Sequence, residues 1–326
     1  METAVTQESF DSLADYWSDP SHQFRWNAVF ILPAWLKVWW QELNADAELY
    51  LRAVRQGKKI IGIAALLVRD GKASIIGSAD VCDYLDFIVT PGMENDFFTT
   101  LLDDLRQKGI SQLDLGPLRP DSTVLTNLVG IAEQRKYEVI CHPEDVSLEL
   151  DLPATWDEYL AVLTTKQRHE VRRKLRRLQK AGKIDYRCVN GNRPVEDSMD
   201  TFLKLFALAR QEKADFMNAR RESFFRSLVR VMGEIGLLRF GILELDGVRA
   251  AMIMGFDYNG AIYLYNSAYD PQYDSLSVGL LCKVFGIKQS IESGKKKWDF
   301  LKGDETYKTH LGGREVPLYR CQITIK

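Results

Sequence analysis

The chain has 326 residues, of which 46% are hydrophobic and 27% are charged, and its net charge is −2. This composition excludes a disordered chain, and the length exceeds the size at which one hydrophobic core stops growing. Two domains are therefore predicted, residues 1–150 and 151–326. No apolar run approaches the ~20 residues of a membrane-spanning helix, and the acidic N-terminus lacks the pattern of a secretory signal. We expect a cytoplasmic protein.

Cysteines and histidines are scattered in a way that predicts no bound metal. The four histidines stand apart from one another and from the cysteines. The cysteines are odd in number and widely spaced, which suits neither a zinc site nor a disulfide framework and favours a reducing compartment. They are Cys82, Cys141, Cys188, Cys282 and Cys321.

The first half of the chain predicts three strands, a helix and a fourth strand. Apolar runs mark strands at Leu49–Val54, Ile60–Val68 and Ala73–Ile76. A helix is predicted near Phe97–Gln107, followed by a strand at Gln112–Leu115. Glycine-containing turns separate these elements, at Gly57, Asp70-Gly71 and Gly116.

One long helix is predicted from Trp156 to Leu178, because this stretch lacks glycine and proline. Its apolar seam recurs at helical spacing, at Val171, Leu175 and Leu178. Gly182 follows and suits a left-handed cap.

The same helix is strongly basic. Residues 166–183 contain nine basic side chains and one acid. Arg168, Arg172 and Arg176 share one edge of the helix, and such an edge can hold phosphates of a nucleotide-like cofactor, a phosphorylated carrier or tRNA. A solvated surface helix is the structural alternative, although such helices usually intersperse acids with the basic residues.

The second half repeats the order of the first. Strands are predicted at Leu238–Leu245, Ala250–Phe256 and Ala261–Tyr265, then a helix at Val278–Ser290 and a strand at Lys297–Leu301. The turns again contain glycine, at Gly247, Asn259-Gly260 and Gly303. A duplication is the simplest account of this repetition, and chance spacing of glycine turns is the alternative.

The last predicted strand opens onto a charged segment that is the leading candidate for a catalytic site, since active-site groups often follow strand ends in α/β sheets. Asp304 or Glu305 would act as the base, Lys302 or Lys308 would neutralise an oxyanion or a phosphate, and Tyr307 would donate a proton. A local ion-pair network is the structural alternative, with Asp304 and Lys308 spaced for a helical salt bridge.

Polar residues after other strands are candidates for acceptor binding. Asn266 and Asp270 follow the third strand of the second half, and Asp83 and Asp86 occupy a similar place in the first half. All four are equally well explained as turn formers. The tryptophans near residue 35 have helical spacing, which favours core packing over a sugar-stacking platform.

Four blocks of the sequence together carry a resemblance to a known family. They are Phe30–Trp40 (FILPAWLKVWW), Asp83–Phe87 (DYLDF), Lys166–Arg173 with basic residues at 166, 168, 172 and 173, and Asp299–Lys308 (DFLKGDETYK). The chain resembles the GNAT-related group of acetyltransferases assigned to cellulose biosynthesis, which is related to the Fem peptidyltransferases of cell-wall assembly. The likeness runs from about Phe30 to Tyr319.

The resemblance implies an α/β fold of two tandem GNAT-like domains, each with a mixed, mainly antiparallel sheet flanked by helices. The second domain is expected to carry the transferase chemistry. Acyl-CoA, such as acetyl-CoA, is the implied co-substrate, no metal is implied, and the acceptor would be an amine or hydroxyl of a sugar, polysaccharide or envelope precursor. Fem relatives instead take an aminoacyl group from tRNA.

The donor site implied by the resemblance lies at the helix that begins near Val278. Ser277 is its expected N-cap and Gly279 its phosphate-approaching glycine, with Arg168, Arg172 and Lys308 as further cofactor-binding residues. A GNAT pyrophosphate loop carries two small residues, whereas this loop has a single glycine. A non-catalytic binding module for an anionic partner therefore stays open beside the two transferase alternatives.

Overall fold

The computed structural model describes residues 3–44, 46–190, 195–209 and 217–326. Its contacts divide the chain into two units. Unit 1 comprises Met1–Val146 and Val316–Lys326, and unit 2 comprises Ser147–Glu315. The C-terminal residues therefore pack with the first part of the chain rather than with the segment that precedes them.

The strands of the described residues are numbered in chain order. They are β1 (Thr3–Gln7), β2 (Glu48–Gln56), β3 (Lys59–Arg69), β4 (Lys72–Ile75), β5 (Ile88–Val89), β6 (Gln112–Leu118), β7 (Glu138–Asp151), β8 (Ile184–Asn190), β9 (Leu238–Leu245), β10 (Val248–Tyr258), β11 (Ala261–Tyr269), β12 (Lys297–Lys302) and β13 (Arg314–Thr324). Tight turns with left-handed residues join several of them, as at Asp70-Gly71 and Asn259-Gly260.

The α-helices of the described residues are also numbered in chain order. They are α1 (Phe10–Ser18), α2 (Pro33–Leu43), α3 (Glu94–Gln107), α4 (Val129–Gln134), α5 (Trp156–Val162), α6 (Thr165–Ala181), α7 (Glu196–Ala209), α8 (Ala219–Glu234), α9 (Val278–Glu292) and α10 (Thr306–His310). Among these residues, no helix has both the length and the apolar character needed to span a membrane.

In unit 1 the strands lie in the order β1, β2, β3, β4, β6, with the unit's part of β13 beside β6. Neighbours are antiparallel except β4 and β6, which are parallel. Helix α3 buries its apolar face in the core, with Phe97 and Phe98 fully buried. Gly62 of β3 makes room for this packing, because a Cβ there would lie 2.4 Å from Cδ2 of Phe97.

In unit 2 the strands lie in the order β8, β9, β10, β11, β12, with residues 147–151 of β7 beside β12. Neighbours are antiparallel except β11 and β12, which are parallel. Helix α9 is buried along most of its length, from Val278 to Ile291. Its few exposed positions explain why its sequence is apolar on more than one face.

The predicted repetition of elements is confirmed. Each unit contains three antiparallel strands, a helix and a fourth strand that pairs in parallel with the third: β2, β3, β4, α3, β6 and β9, β10, β11, α9, β12. The predicted α/β class with a mixed, mainly antiparallel sheet is confirmed as well. The parallel pair follows from the sequence, because a crossover helix returns the chain to the same end of the sheet.

The prediction of one helix from Trp156 to Leu178 is wrong. Helix α5 ends at Val162, and α6 starts anew with Thr164 as its N-cap in a capping box with Gln167. The predicted left-handed cap at Gly182 is also wrong, since this residue is extended. Glycine is needed there for space instead, because a Cβ would lie 2.3 Å from Oδ2 of Asp246.

The expectation that the cysteines do not pair is wrong for two of them. Cys141 and Cys321 form a disulfide in unit 1, whereas Cys82, Cys188 and Cys282 are free. The paired residues are 180 positions apart in the chain, so their proximity depends on the return of the last strand to unit 1. Sequence spacing alone does not reveal such a pairing.

We predict that Cys141→Ser lowers the unfolding free energy by about 3 kcal/mol in non-reducing buffer, because the crosslink restricts the unfolded chain. Urea denaturation with and without dithiothreitol measures this difference. The reductant should destabilise the wild type and leave the variant unchanged. Equal stability of the two proteins without reductant would contradict the prediction, as would free thiols at both positions in the intact mass of alkylated wild type.

Candidate functional site

Strands β11 and β12 separate after three residue pairs. Their parallel pairing runs from Ala261 opposite Lys297 to Tyr263 opposite Asp299 and stops there. Both strands continue beyond this point, β11 as far as Tyr269. Among the described residues, no strand pairs with β11 beyond Tyr263 on the side of β12. The backbone groups of β11 along this gap can bind an extended ligand as an added strand.

Local conformations at both strands accompany the separation. Leu301 of β12 is left-handed, with φ of 62°, and its N–H donates to Oδ1 of Asp299 at 2.8 Å. The pairing of β10 and β11 shifts register between Met254 and Gly255. Gly255 is required there, since a Cβ would lie 2.5 Å from the carbonyl oxygen of Tyr263. The gap is thus built into the fold by a bend in one strand and a bulge beside the other.

Helix α9 begins at the far end of this gap. Ser277 is its N-cap residue, as predicted, but it is left-handed and its side chain makes no capping hydrogen bond. Its hydroxyl instead accepts hydrogen bonds from Nζ of Lys174 and Nη2 of Arg177, each at 3.1 Å. Two cations from α6 thereby meet at the first turn of α9.

The first turn of α9 is suited to an anion. Its leading N–H groups have no partners within the helix, and the helix dipole places positive charge there. Gly279 packs against the ring of Tyr269, and a Cβ would lie 2.9 Å from that ring. Nε of Arg177 is buried and has no hydrogen-bond partner among the described residues. Glu170 lies 3.6 Å from Nζ of Lys174 and is also engaged by Arg173.

The segment after β12 is organised by Lys308, whose side chain is only 2% exposed. Its ammonium donates to the carbonyl oxygens of Leu301, Lys302 and Gly303 at 3.1, 2.6 and 3.0 Å. It also pairs with Glu305 at 2.8 Å. These contacts use the donors of Lys308 to fix the strand end.

Tyr307 faces α9. Its ring lies edge-on to Phe300, with 6.4 Å between centroids, and Nζ of Lys283 lies 4.7 Å from its centroid. Lys283 is 6% exposed and donates to the carbonyl oxygen of Gly279 at 3.1 Å. Burial, together with the charge of Glu305, raises the pKa of Tyr307, so its hydroxyl keeps its proton at neutral pH.

Other candidate residues lie along the same end of unit 2. Asp304 is exposed, Lys302 is half-buried, and the side chain of Glu305 is 58% exposed. Asn266 lies on the separated part of β11, where its side chain accepts from the N–H of Ser267. Asp270 caps the short helical segment 271–276, and its carboxylate accepts from the backbone N–H and the side chain of Gln272.

The structure brings Lys174 and Arg177 to α9 rather than the two arginines named from the sequence. Arg168 donates to the carbonyl oxygen of Leu160 in α5, and Arg172 is exposed on α6. A signal for the inward pair was present, because Lys174 and Arg177 flank the apolar seam of the helix and must lie against the protein. Lys283 was missed too, although a lysine within the apolar stretch from Val278 to Ile287 is a visible anomaly.

Two candidate residues belong to unit 1, and their part in acceptor binding stays a prediction. Asp83 lies in the segment before β5. Asp86 is 7% exposed, and its carboxylate accepts from the backbone N–H of Phe87 and from the N–H and hydroxyl of Thr123. Burial raises the pKa of Asp86 to about 6, although these hydrogen bonds oppose the shift.

Comparison with known proteins identifies this arrangement as GNAT-like. Residues 165–309 match the family model of an acetyltransferase (GNAT) domain. This match includes α6, the gap between β11 and β12, α9 and Tyr307. The predicted GNAT-like character of the fold is confirmed.

Solved structures share the fold over most of the chain at low sequence identity. FemX is 12% identical, with a TM-score of 0.66 over 98% of this chain and 97% of its own. A tandem GNAT protein of the clavulanic acid biosynthesis pathway is 13% identical, with a TM-score of 0.51 over 98% of each chain. The C-terminal domain of a putative lysylphosphatidylglycerol synthetase from Agrobacterium fabrum is 11% identical, with a TM-score of 0.57 over 85% of this chain and 83% of its own. Curated protein sequences give no match.

We predict that Lys308→Met lowers the unfolding free energy by about 3 kcal/mol, because it leaves Glu305 and three carbonyl oxygens without their buried cation. Urea denaturation measures the loss. Lys180→Met on the exposed face of α6 is the matched control and should change stability by less than about 0.5 kcal/mol. Equal stability of the two variants would show that the ammonium does not hold the strand end.

The raised pKa of Asp86 predicts a pH dependence of stability. The folded carboxyl keeps its proton up to about pH 6, whereas the unfolded carboxyl loses it near its ordinary value of 3.8. Its contribution to stability is therefore full below the unfolded pKa and is lost as pH rises towards 6. Asp86→Asn removes this contribution, so the difference in unfolding free energy between wild type and variant should fall from pH 4 to pH 6.5. A difference in unfolding free energy that stays constant from pH 4 to pH 6.5 would refute the prediction.

Proposed function

We propose that this protein is an acyltransferase that moves an acyl group, such as acetyl, from acyl-CoA to an amine or hydroxyl of a sugar, polysaccharide or envelope precursor. The observation that carries this proposal is the gap between β11 and β12 leading to the first turn of α9, where Lys174 and Arg177 meet at Ser277. The gap suits the extended arm of the donor, and the basic turn suits its phosphates.

The single glycine of the donor loop is offset by these side chains. A GNAT loop uses backbone N–H groups of several small residues. Here α6 adds one ammonium group and one guanidinium group at the same helix start. Charge-assisted hydrogen bonds from Arg and Lys are the strong kind for phosphate. The buried, unpartnered Nε of Arg177 adds a donor that a bound phosphate oxygen would satisfy.

The reaction takes place where the strands part. An acceptor amine or hydroxyl attacks the thioester carbonyl, and backbone N–H groups of β11 beyond Tyr263 stabilise the oxyanion that forms. Tyr307 is the proton donor to the leaving thiolate, since it holds its proton at neutral pH. Asp304 or Glu305 takes the proton released by the acceptor, and both are accessible to an incoming substrate.

The acceptor class rests on the family resemblance rather than on a described pocket. Asn266 on β11 and Asp270, which directly follows that strand, are the acceptor-binding residues we propose in unit 2, and the same role for Asp83 and Asp86 of unit 1 stays a prediction. Polysaccharide biosynthesis belongs to the same proposal, whereas the disulfide between Cys141 and Cys321 removes the cysteine argument for a reducing cytoplasm.

A second candidate donor is aminoacyl-tRNA, and one observation favours it. Arg172 and Arg176 are exposed on the outer face of α6, with Nε of Arg176 donating to the carbonyl oxygen of Arg172. An RNA backbone would be bound by such a face with a steep salt dependence. Arg172→Ala with Arg176→Ala would then weaken tRNA binding and leave acetyl-CoA binding unchanged.

Donor titrations separate these candidates. Acetyl-CoA should raise the melting temperature of the wild type, because a ligand that binds only the folded state stabilises it. A shift with tRNA alone would favour the aminoacyl donor. A shift with acetyl-CoA but no transfer to any amine or hydroxyl acceptor would favour a binding module.

We predict that Lys174→Ala combined with Arg177→Ala raises the KM for acetyl-CoA about 30-fold, at about 1 kcal/mol for each lost phosphate contact, and changes kcat by less than threefold. Steady-state kinetics at fixed ionic strength measures both constants. Lys180→Ala, on the exposed face of the same helix, is the matched control and should behave as wild type. An unchanged KM in the double variant would remove this turn from the donor site.

A further inference from the structure

Lys283 of α9 places a positive charge in the interior of unit 2. It is 6% exposed and its neighbours Cys282 and Val284 are buried. Its Nζ reaches back to the carbonyl oxygen of Gly279 at 3.1 Å, as helical side chains do, since they point towards the start of the helix. The charge therefore lies between the first turn of α9 and Tyr307.

The ammonium of Lys283 lies over the ring of Tyr307, 4.7 Å from its centroid. A cation in this position is attracted to the aromatic face. Among the described residues, Lys283 of α9 lies over the ring of Tyr307, and Glu305, which is paired with Lys308, raises the pKa of Tyr307. Strand β12 presents the uncharged ring of Phe300.

We infer that Lys283 is a positioning residue for acyl transfer: it holds Tyr307 in place and stabilises the negative charge that the Tyr307 oxygen acquires on giving up its proton. This inference rests on the proposed function. Lys283 acts through Tyr307 and does not itself touch the reacting atoms.

Acyl transfer from a thioester breaks the carbon–sulfur bond and delivers a proton to the sulfur. The lone pair of the acceptor nitrogen or oxygen forms a bond to the carbonyl carbon, and the carbon–sulfur bond breaks with its electron pair on sulfur. The sulfur takes the proton of the Tyr307 hydroxyl, and the acceptor gives its proton to Asp304, Glu305 or water. Tyr307 is left as a phenolate, which regains a proton from solvent.

A buried tyrosine needs such help to act as an acid. Burial opposes the charged form of Tyr307, and so does the carboxylate of Glu305. A thiol has an ordinary pKa near 8.5, below that of tyrosine, so proton transfer to the thiolate is unfavourable unless the phenolate is stabilised. The ammonium over the ring supplies an opposite charge at short range in a site with little water.

The experiment compares kcat for acetyl-CoA across pH in the wild type, Lys283→Met and Lys283→Arg. Methionine matches the length of lysine and suits a buried position, so the variant should stay folded. We expect Lys283→Met to lower the plateau of kcat about 100-fold, within the range of acid catalysis, and to move the alkaline limb to higher pH. Lys283→Arg should recover most of the rate, because it keeps the charge.

The alkaline limb separates this role from a structural one. The rate falls at high pH when Tyr307 loses its proton, so removal of the stabilising cation raises that pKa and shifts the limb upward. A loss of packing alone would lower kcat at every pH and leave the limb in place. In the Tyr307→Phe background, Lys283→Met should have no further effect on kcat. Additive losses would overturn the inference.

Lys288→Met is the matched control on the same helix. The side chain of Lys288 is 44% exposed and pairs with Glu292, so its removal should leave kcat and the alkaline limb unchanged. A readout without turnover is the ionisation of Tyr307, followed by NMR of ring-labelled tyrosine, with Tyr307→Phe identifying the signal. Lys283→Met should move the titration of the Tyr307 ring signal to higher pH, and an unchanged titration would refute the inference even if the wild type transferred no acyl group. Absence of transfer by the wild type, with the NMR shift present, would overturn the proposed function alone.

Discussion

The separation of β11 from β12 is the constraint on which the candidate site depends. Two parallel strands that stayed paired would offer no backbone groups to a ligand and no route to the first turn of α9. The left-handed Leu301 bends β12, and the buried ammonium of Lys308 gathers the three carbonyl oxygens that follow. The charged side chain of Lys308 thus fixes the end of β12, and the neighbouring Tyr307 is fixed as a result.

Much of the fold was readable from the sequence, because the apolar runs and glycine turns of each half repeat in the same order. The strands at β2, β3, β9 and β10 follow directly from such runs. The division of the basic segment into α5 and α6 was missed, since the capping box at Thr164 competes with an unbroken helical pattern. Disulfide pairing across 180 positions was also out of reach, because it depends on long-range topology.

The sequence named the segments of the candidate site but not the contacts within them. The segment after β12 and the start of α9 both emerged from the sequence, because strand ends and helix starts are where α/β folds place ligands. The spacing of basic residues along one edge of α6 does not show which cationic side chains lie at the start of α9. Lys174 and Arg177 face inward since they border the buried Val171 and Leu178. The contacts of Lys308 could not be predicted, because nothing in its sequence neighbourhood shows that it is buried.

The order in which the chain is made has a consequence for unit 1. Strand β6 takes its antiparallel neighbour from residues 319–324, which leave the ribosome after all of unit 2. Until then the N-terminal unit has an unprotected sheet edge at β6 during synthesis, exposed to wrong pairing or to chaperones. Unit 2 is continuous in sequence and can fold while the last strand is still being added. Emergence of residues 319–324 from the ribosome, rather than any step within the first 146 residues, therefore sets when β6 gains this neighbour.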